Sequence, residues 1–199
     1  MTKLFFNKYT RATRPRWLVE EAGLPVEIVP VDMVAGEHKR PEYLRLHPHG
    51  KLPVLVDGDT AIFESAAICM HLADRFPEAK MAPAPGTVER GLYYQWMVYA
   101  MATLEPPVYA TFLENKKPEG ERDAATLKKA REDLDACLKV LSDALAGRDW
   151  LLGELCAADV VVGSIVAWAA GMKLTGEFPV VEAYVARCKA RPGFAKART

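Results

Sequence analysis

Lys51-Leu52-Pro53-Val54-Leu55, answered after a short turn by Phe63-Glu64-Ser65, is the stretch that decides the fold of this chain. Pro53 stands between apolar residues at the mouth of a strand, where a proline removes a ladder donor and ordinarily argues against a strand. A cis Leu52-Pro53 bond reconciles the two, because it turns the backbone outward and presents the Leu52 N–H and C=O to an extended ligand. Asp57-Gly58 supplies a hairpin turn, and Ala61-Ile62-Phe63 returns as the partner strand. Ser65 opens a helix over residues 65–76, with Glu64 immediately before it. A hydroxyl, the N–H groups of a helix end and a carboxylate thus converge beside a free strand edge, a set that suits a small zwitterionic peptide. Either half alone reads equally well as a plain hairpin or a Ser-capped helix. The two together, at this spacing, favour a ligand.

Outward from this stretch, the first eighty residues alternate strand and helix signals. Residues 3–7 read as a strand, and Thr13–Ala22 as a helix stopped by Gly23 with Pro25 beyond it. Residues 26–31 read as a second strand, and 54–56 and 61–63 as the hairpin. The helix over 65–76 carries Ala66, Ile68, Cys69, Leu72 and Phe76 on helical spacing. A β-α-β start followed by β-β-α predicts a four-stranded mixed sheet with helices packed on it, over residues 1–80. Pro77, Pro83, Pro85 and Gly86 then mark a linker.

Residues 87–199 show no strand character. Residues 87–104 are apolar on a 3.6 period and are expected to end as a helix near Pro106-Pro107. Residues 124–146 form a long amphipathic helix with Leu127, Leu134, Leu138, Leu141 and Leu145 in one stripe. A further helix follows Leu155-Cys156-Ala157-Ala158-Asp159, and another covers about 179–189. The expected architecture is an α/β domain followed by an all-helical one.

Composition narrows the function classes. Twenty-six basic residues balance twenty-six acidic ones, so no field favours nucleic acid or an anionic membrane as partner. No apolar run approaches the roughly 20 residues of a membrane span, and Met1–Phe6 lacks the long apolar stretch of a signal peptide. Cys69, Cys137, Cys156 and Cys188 are widely spaced, each in an apolar helical context, which predicts buried reduced thiols and a cytoplasmic address. His47 and His49, two residues apart around a proline, make no credible metal site, and no metal is expected.

These halves, in this order and with these motifs, resemble the cytosolic glutathione transferases, in which a thioredoxin-like domain precedes a helical bundle. The resemblance covers essentially the whole chain and is clearest from Ala35-Gly36-Glu37-His38-Lys39 through His47-Pro48-His49-Gly50-Lys51-Leu52-Pro53-Val54-Leu55 to Phe63-Glu64-Ser65-Ala66-Ala67-Ile68. It is most similar to the phi, theta and related bacterial groups, which use a hydroxyl at the thiol site. The resemblance implies that His38 and Lys39 hold the glycyl carboxylate of glutathione and that the Leu52 backbone pairs with its cysteinyl segment. Glu64 would meet the γ-glutamyl ammonium, and Ser65 with its N–H the γ-glutamyl carboxylate. Each assignment fits the charge at that end of the tripeptide. Lys51, beside the Leu52 edge, could reach the glycyl carboxylate as well. In the second half, Cys156 stands where the family usually has a Ser or Thr in an N-capping box, with Asp159 three residues on. The stretch Arg191-Pro192-Gly193-Phe194 resembles the family's usual C-terminal ending.

Thr10-Arg11-Ala12-Thr13 lies where a thioredoxin-type oxidoreductase would carry its redox cysteines, and no cysteine is present, so disulfide exchange is not expected. Aligning on Arg14 places Thr10 where the hydroxyl-using groups carry serine; Tyr9 and Arg11 flank it and could serve instead. The alternative is that Thr10 is a loop residue and Thr13 the helix N-cap. Tyr93, Tyr94, Trp96, Met97, Tyr99 and Met101 crowd one helix, more apolar content than one face needs for its own core, which suggests a homodimer. The implied activity is glutathione transfer: glutathione is the co-substrate and a small electrophile its partner, with an acceptor pocket to which residues 87–199 contribute. A glutathione-dependent isomerase, dehalogenase or peroxidase, or a non-catalytic regulatory relative, would share most of these residues.

Overall fold

A computed structural model describes residues 1–199. The first half contains β1 (Thr2–Phe6), α1 (Thr13–Ala22), β2 (Glu27–Pro30), α2 (Pro41–Leu44), β3 (Val54–Asp57), β4 (Thr60–Phe63) and α3 (Ser65–Arg75). The second half contains α4 (Val88–Tyr99), α5 (Glu105–Asn115), α6 (Ala124–Ala144), α7 (Ala157–Gly171), α8 (Pro179–Ala190) and α9 (Pro192–Lys196). They form two units: Met1–Ala82 together with Lys189–Thr199, and Pro83–Cys188.

In the first unit the sheet order is β2-β1-β3-β4. β1 pairs parallel to β2, with Leu4 opposite Ile28, and antiparallel to β3, with Leu4 opposite Leu55. β3 and β4 are antiparallel, and Leu55 faces Ile62. This is the thioredoxin-like arrangement expected. Alternation along β1 buries Leu4 and Phe6 and leaves Phe5 half-buried, as a strand with two differently covered faces requires. Pro30 closes β2 at the edge of the sheet, where a missing donor costs least. Gly23, in the left-handed region at φ 61°, stops α1 where the sequence placed the stop.

The C-terminal segment corrects one boundary. Residues 189–199, read from sequence as part of the helical domain, pack with the first unit through α9. Phe194 meets Trp17 of α1 edge to face at 5.0 Å. Glu21 accepts from the Trp17 Nε1 at 3.0 Å and from the Arg191 Nε at 2.8 Å. Gly193 is required there, because a Cβ would lie 2.9 Å from the Glu21 N and from the Trp17 Cδ1. The short α2 is a second addition. Its Pro41 takes the first helical position, which suits a residue without a donor.

In the second unit the sequence expected a helix ending near Pro106-Pro107, and the helix does not end there. After α4 the chain widens into a π-helical stretch, Ala100–Leu104, and continues as α5 with both prolines in its first turn. A proline cannot donate to the carbonyl four residues back and clashes with it; the wider turn makes room. The Thr103 carbonyl, four residues before Pro107, accepts instead from the Cys137 thiol at 3.6 Å.

α7 is buried along nearly its whole length, and it opens with a capping box in which the Cys156 sulfur, in place of the usual hydroxyl, accepts from the Asp159 N–H. The Cys156 thiol donates to the Asp159 Oδ2 at 3.3 Å, and the Cys156 N–H to the same oxygen at 3.0 Å. The Asp159 Oδ1 accepts from the Leu151 N–H and the Tyr184 hydroxyl, both at 3.0 Å. One carboxylate thus collects donors from three segments. All four cysteines are free and buried.

Candidate functional site

The site grows from the start of α3. Glu64 adopts φ 75° and ψ 113°, a left-handed conformation that is costly for a residue with a Cβ and that concentrates at functional positions. The Glu64 carboxylate is exposed and makes no hydrogen bond or ion pair with the protein. Ser65 is only 2 % exposed, and its Oγ accepts from the Arg14 Nη1 at 3.1 Å. Arg14 is itself 3 % exposed. A guanidinium, a hydroxyl and the positive end of an eleven-residue helix therefore share one spot. An anion is what they would hold.

The neighbouring strand entrance is shaped by three contacts. The Leu52-Pro53 bond is cis, as expected. No other backbone group engages the Leu52 N–H or carbonyl, while the strand ladder resumes at Val54. The Tyr43 hydroxyl donates to the Lys51 carbonyl at 2.7 Å and so fixes the residue before Leu52. Burial pushes the Tyr43 hydroxyl well above the usual phenol range, so it stays a donor. Gly50, at φ 56°, lies so close to the 3-10 turn Glu37–Lys39 that a Cβ would fall 2.5 Å from the His38 carbonyl.

His38 and Lys39 are thereby docked against the loop that leads to Leu52. The Lys39 Nζ donates to the His49 carbonyl at 3.3 Å, and the His38 Nδ1 is buried with no protein partner. Lys51 is exposed and makes no ion pair. His47 is packed into the frame of this loop. Its ring lies 4.8 Å from that of Phe63, and its Nδ1 accepts from the His49 N–H at 3.3 Å. Burial first, and then His49, lower its pKa, so it stays neutral.

Thr10 sits half-buried between β1 and α1. Its hydroxyl donates to the Asn7 carbonyl at 2.7 Å and accepts from the Ala12 N–H at 3.2 Å. The single hydroxyl proton is directed into its own turn. Ala12 provides no side-chain cap for α1, and the Thr13 hydroxyl donates to the Thr10 carbonyl, so Thr13 is not the N-cap. Tyr9 is 86 % exposed and Arg11 is exposed. Cys69, behind Arg14, is sealed in the core and pushed up to about 12 by burial, so it is no nucleophile.

Sequence reasoning missed Arg14, Tyr43 and Gly50. Arg14 had a signal: a cation three and four positions before Trp17 and Leu18 lies on the buried stripe of α1, where an unpaired charge does not belong. Tyr43 and Gly50 had none, since their roles depend on a fold-back of the loop.

Comparison with known proteins identifies the family of both domains. Residues 1–74 match the model of the glutathione S-transferase N-terminal domain and residues 95–192 that of the C-terminal domain. Glutathione S-transferase 1 of Dianthus caryophyllus is 32% identical over 184 residues, which cover 89% of this chain and 81% of that protein. The chain belongs to the glutathione S-transferase family. Glutathione S-transferase 3 of Zea mays is 34% identical over 140 residues, 69% of this chain but 63% of that relative. Among solved structures, a glutathione transferase family member from Pseudomonas fluorescens with two glutathione bound superposes with a TM-score of 0.87 at 27% identity, covering 99% of this chain and 92% of the other. Glutathione transferase URE2P6 of Phanerochaete chrysosporium, in complex with oxidized glutathione, gives 0.86 at 26% identity, covering 98% and 94%. As a glutathione S-transferase family member, the chain has its strained Glu64 and its open Leu52 edge within the N-terminal domain match.

Proposed function

We propose that this chain is a glutathione transferase that binds glutathione along the Leu52 edge and activates its thiol for attack on small electrophiles. One observation carries the proposal: the Arg14–Ser65 pair at the N-terminus of α3, with the free Glu64 carboxylate one residue away. A cationic, hydroxyl-bearing helix end beside a carboxylate is complementary to an α-amino acid head group. On this basis Ser65 and its N–H meet the γ-glutamyl carboxylate and Glu64 the ammonium. Leu52 pairs with the cysteinyl backbone, and His38, Lys39 and the nearby Lys51 hold the glycyl carboxylate.

Thr10 donates to the glutathione sulfur once its hydroxyl turns from the Asn7 carbonyl. The thiol proton leaves to solvent, a sulfur–carbon bond forms, and the leaving group departs with its electron pair. Isomerisation, dehalogenation and peroxide reduction would begin from the same thiolate. The aromatic cluster of Tyr109 and Phe112 on α5 with Trp168 on α7, rings 5.1–6.3 Å apart, is where the helical unit would offer an apolar acceptor a surface. The Thr10–Asn7 bond favours a second possibility, a regulatory relative that binds glutathione without activating it.

The phi- or theta-like assignment belongs to the same proposal, resting on the hydroxyl at position 10. The four free, buried thiols support a cytoplasmic address. A homodimer is proposed on a face of α4: Tyr93, Trp96 and Met97 are used inside the unit, but Val88, Leu92, Tyr94 and Val98 stay exposed. Light scattering should give twice the 22.0 kDa chain mass. Calorimetric titration with glutathione, together with turnover of a generic aryl halide, tests the function. Binding with turnover supports the transferase, binding alone the regulatory relative, and neither overturns both.

A further inference from the structure

The first unit contains a cavity of about 330 Å³ away from the Glu64–Ser65 helix end, between the edge strand β2 and α2. Its floor is apolar, formed by Phe5, Val29, Val31, Tyr43 and Leu46, and its mouth carries Glu37, Arg40 and Glu42. α2, a single turn, contributes Glu42 and the buried Tyr43 to this lining. A volume of this size is at the lower end for a small-molecule site.

The charges at the mouth are not equivalent. Glu37 accepts from the Asp32 N–H at 2.8 Å with one oxygen and lies 3.5 Å from Arg40 with the other. Arg40 is thus answered by Glu37. Glu42 has no hydrogen bond or ion pair and leaves the mouth net negative. An apolar floor with one uncompensated carboxylate at its rim selects an apolar body with a cationic end.

We propose that this cavity is a second, non-catalytic binding site for a small apolar molecule bearing a protonated amine. Two connections lead from it toward the Leu52 edge. Tyr43 lines the cavity and holds the Lys51 carbonyl. Glu37 and Arg40 line it and bracket His38 and Lys39 on one turn. An occupant that moves Tyr43 or this turn changes glutathione affinity, and glutathione changes the amine's affinity by the same factor. The coupling rests on Leu52 being the glutathione edge; binding of the amine does not.

The test is a titration of the full-length, isotope-labelled protein with 2-phenylethylamine, followed by amide resonances. The neutral 2-phenylethanol and the anionic 3-phenylpropanoate serve as comparators. Saturable shifts confined to Val29, Val31, Leu46 and their neighbours are expected with the amine. Glu42→Gln should weaken it about fivefold, and Val29→Phe, which fills the cavity, should abolish it. Absence of saturation, shifts centred elsewhere, or equal binding of the propanoate would overturn the site. In a second arm, saturating amine should shift the glutathione dissociation constant about fivefold; an unchanged constant overturns the coupling. The first arm needs no glutathione, so failure of the glutathione reading leaves it intact.

Discussion

Arg14 and Ser65 are 51 residues apart in the chain and 3.1 Å apart in space, the guanidinium of one donating to the hydroxyl of the other inside the first unit. The pair ties α1 to α3 and sets a cation behind the proposed carboxylate position. Ser65→Ala should therefore act twice. It removes a hydroxyl from the ligand, costing roughly 1–2 kcal/mol of glutathione affinity, and it removes one buried acceptor of Arg14, costing about 1–3 kcal/mol of stability. Calorimetry and urea unfolding read the two effects separately. Unchanged affinity would place the γ-glutamyl carboxylate elsewhere.

Glu64→Ala should lower glutathione affinity at least as much as Ser65→Ala, because it strands the ligand ammonium. Glu64→Gly should do the same to affinity while relieving the left-handed backbone, raising stability by about 1 kcal/mol. Gain of stability with loss of binding is the signature expected of strain held for a ligand. Loss of both would show that the carboxylate supports the fold.

Thr10→Ala tests thiol activation. A thiol of pKa about 8.5 is only a few per cent ionised at neutral pH. Loss of a donor to the sulfur should cut turnover about tenfold and move the pH–rate midpoint upward, while Thr10→Ser keeps most activity. An unchanged midpoint in Thr10→Ala would transfer the role to Tyr9, Arg11 or the bare end of α1, with Arg11→Ala the next variant.

Asp57 gives a pH dependence of defined sign. Its carboxylate accepts from the His71 ring at 2.9 Å and the Thr2 hydroxyl at 2.9 Å, with Arg75 3.6 Å away. The His71 and Thr2 bonds, in that order, are the largest causes holding its pKa below the usual carboxylate range. A depressed folded value means that the contribution is full above about pH 4, the unfolded value, and is lost as pH falls through the folded one. Urea unfolding should show Asp57→Asn weaker than the parent at pH 6, with the difference shrinking as the pH is taken below about 4. A gap that persisted at pH 2 would assign the loss to packing.

At the head of α7, Asp159→Ala should cost about 3 kcal/mol or more, since Leu151, Cys156 and Tyr184 lose their common acceptor together. Cys156→Ser should be neutral or stabilising by up to about 1 kcal/mol, a hydroxyl being the stronger donor and acceptor. A large loss in Cys156→Ser would show that the site is fitted to sulfur.

Where local chemistry decides an element, the chain was legible. Gly23 ends α1 at the expected residue, and the strand signals around Pro53 give the observed sheet. What was not legible depends on distant residues. The helix runs through Pro106-Pro107 because a wider turn forms and Cys137, thirty-four residues on, supplies a donor to the freed Thr103 carbonyl. The same applies to the site. Spacing makes Ser65, Glu64 and Leu52 candidates, but the hydrogen bond that directs the Thr10 hydroxyl to Asn7 is a matter of rotamer, which composition and periodicity do not encode.

The return of α9 to α1 gives the chain an order of events during synthesis. Glu21 and Trp17 leave the ribosome early, yet the residues that cover them follow the entire helical unit. The partners are 170 residues apart, so at about 5–20 residues per second that delay is roughly 9–34 s. For this interval the nascent first unit presents a bare tryptophan and an uncovered carboxylate, a recognisable handle for chaperones and the window in which a stalled or truncated chain is most exposed to proteolysis.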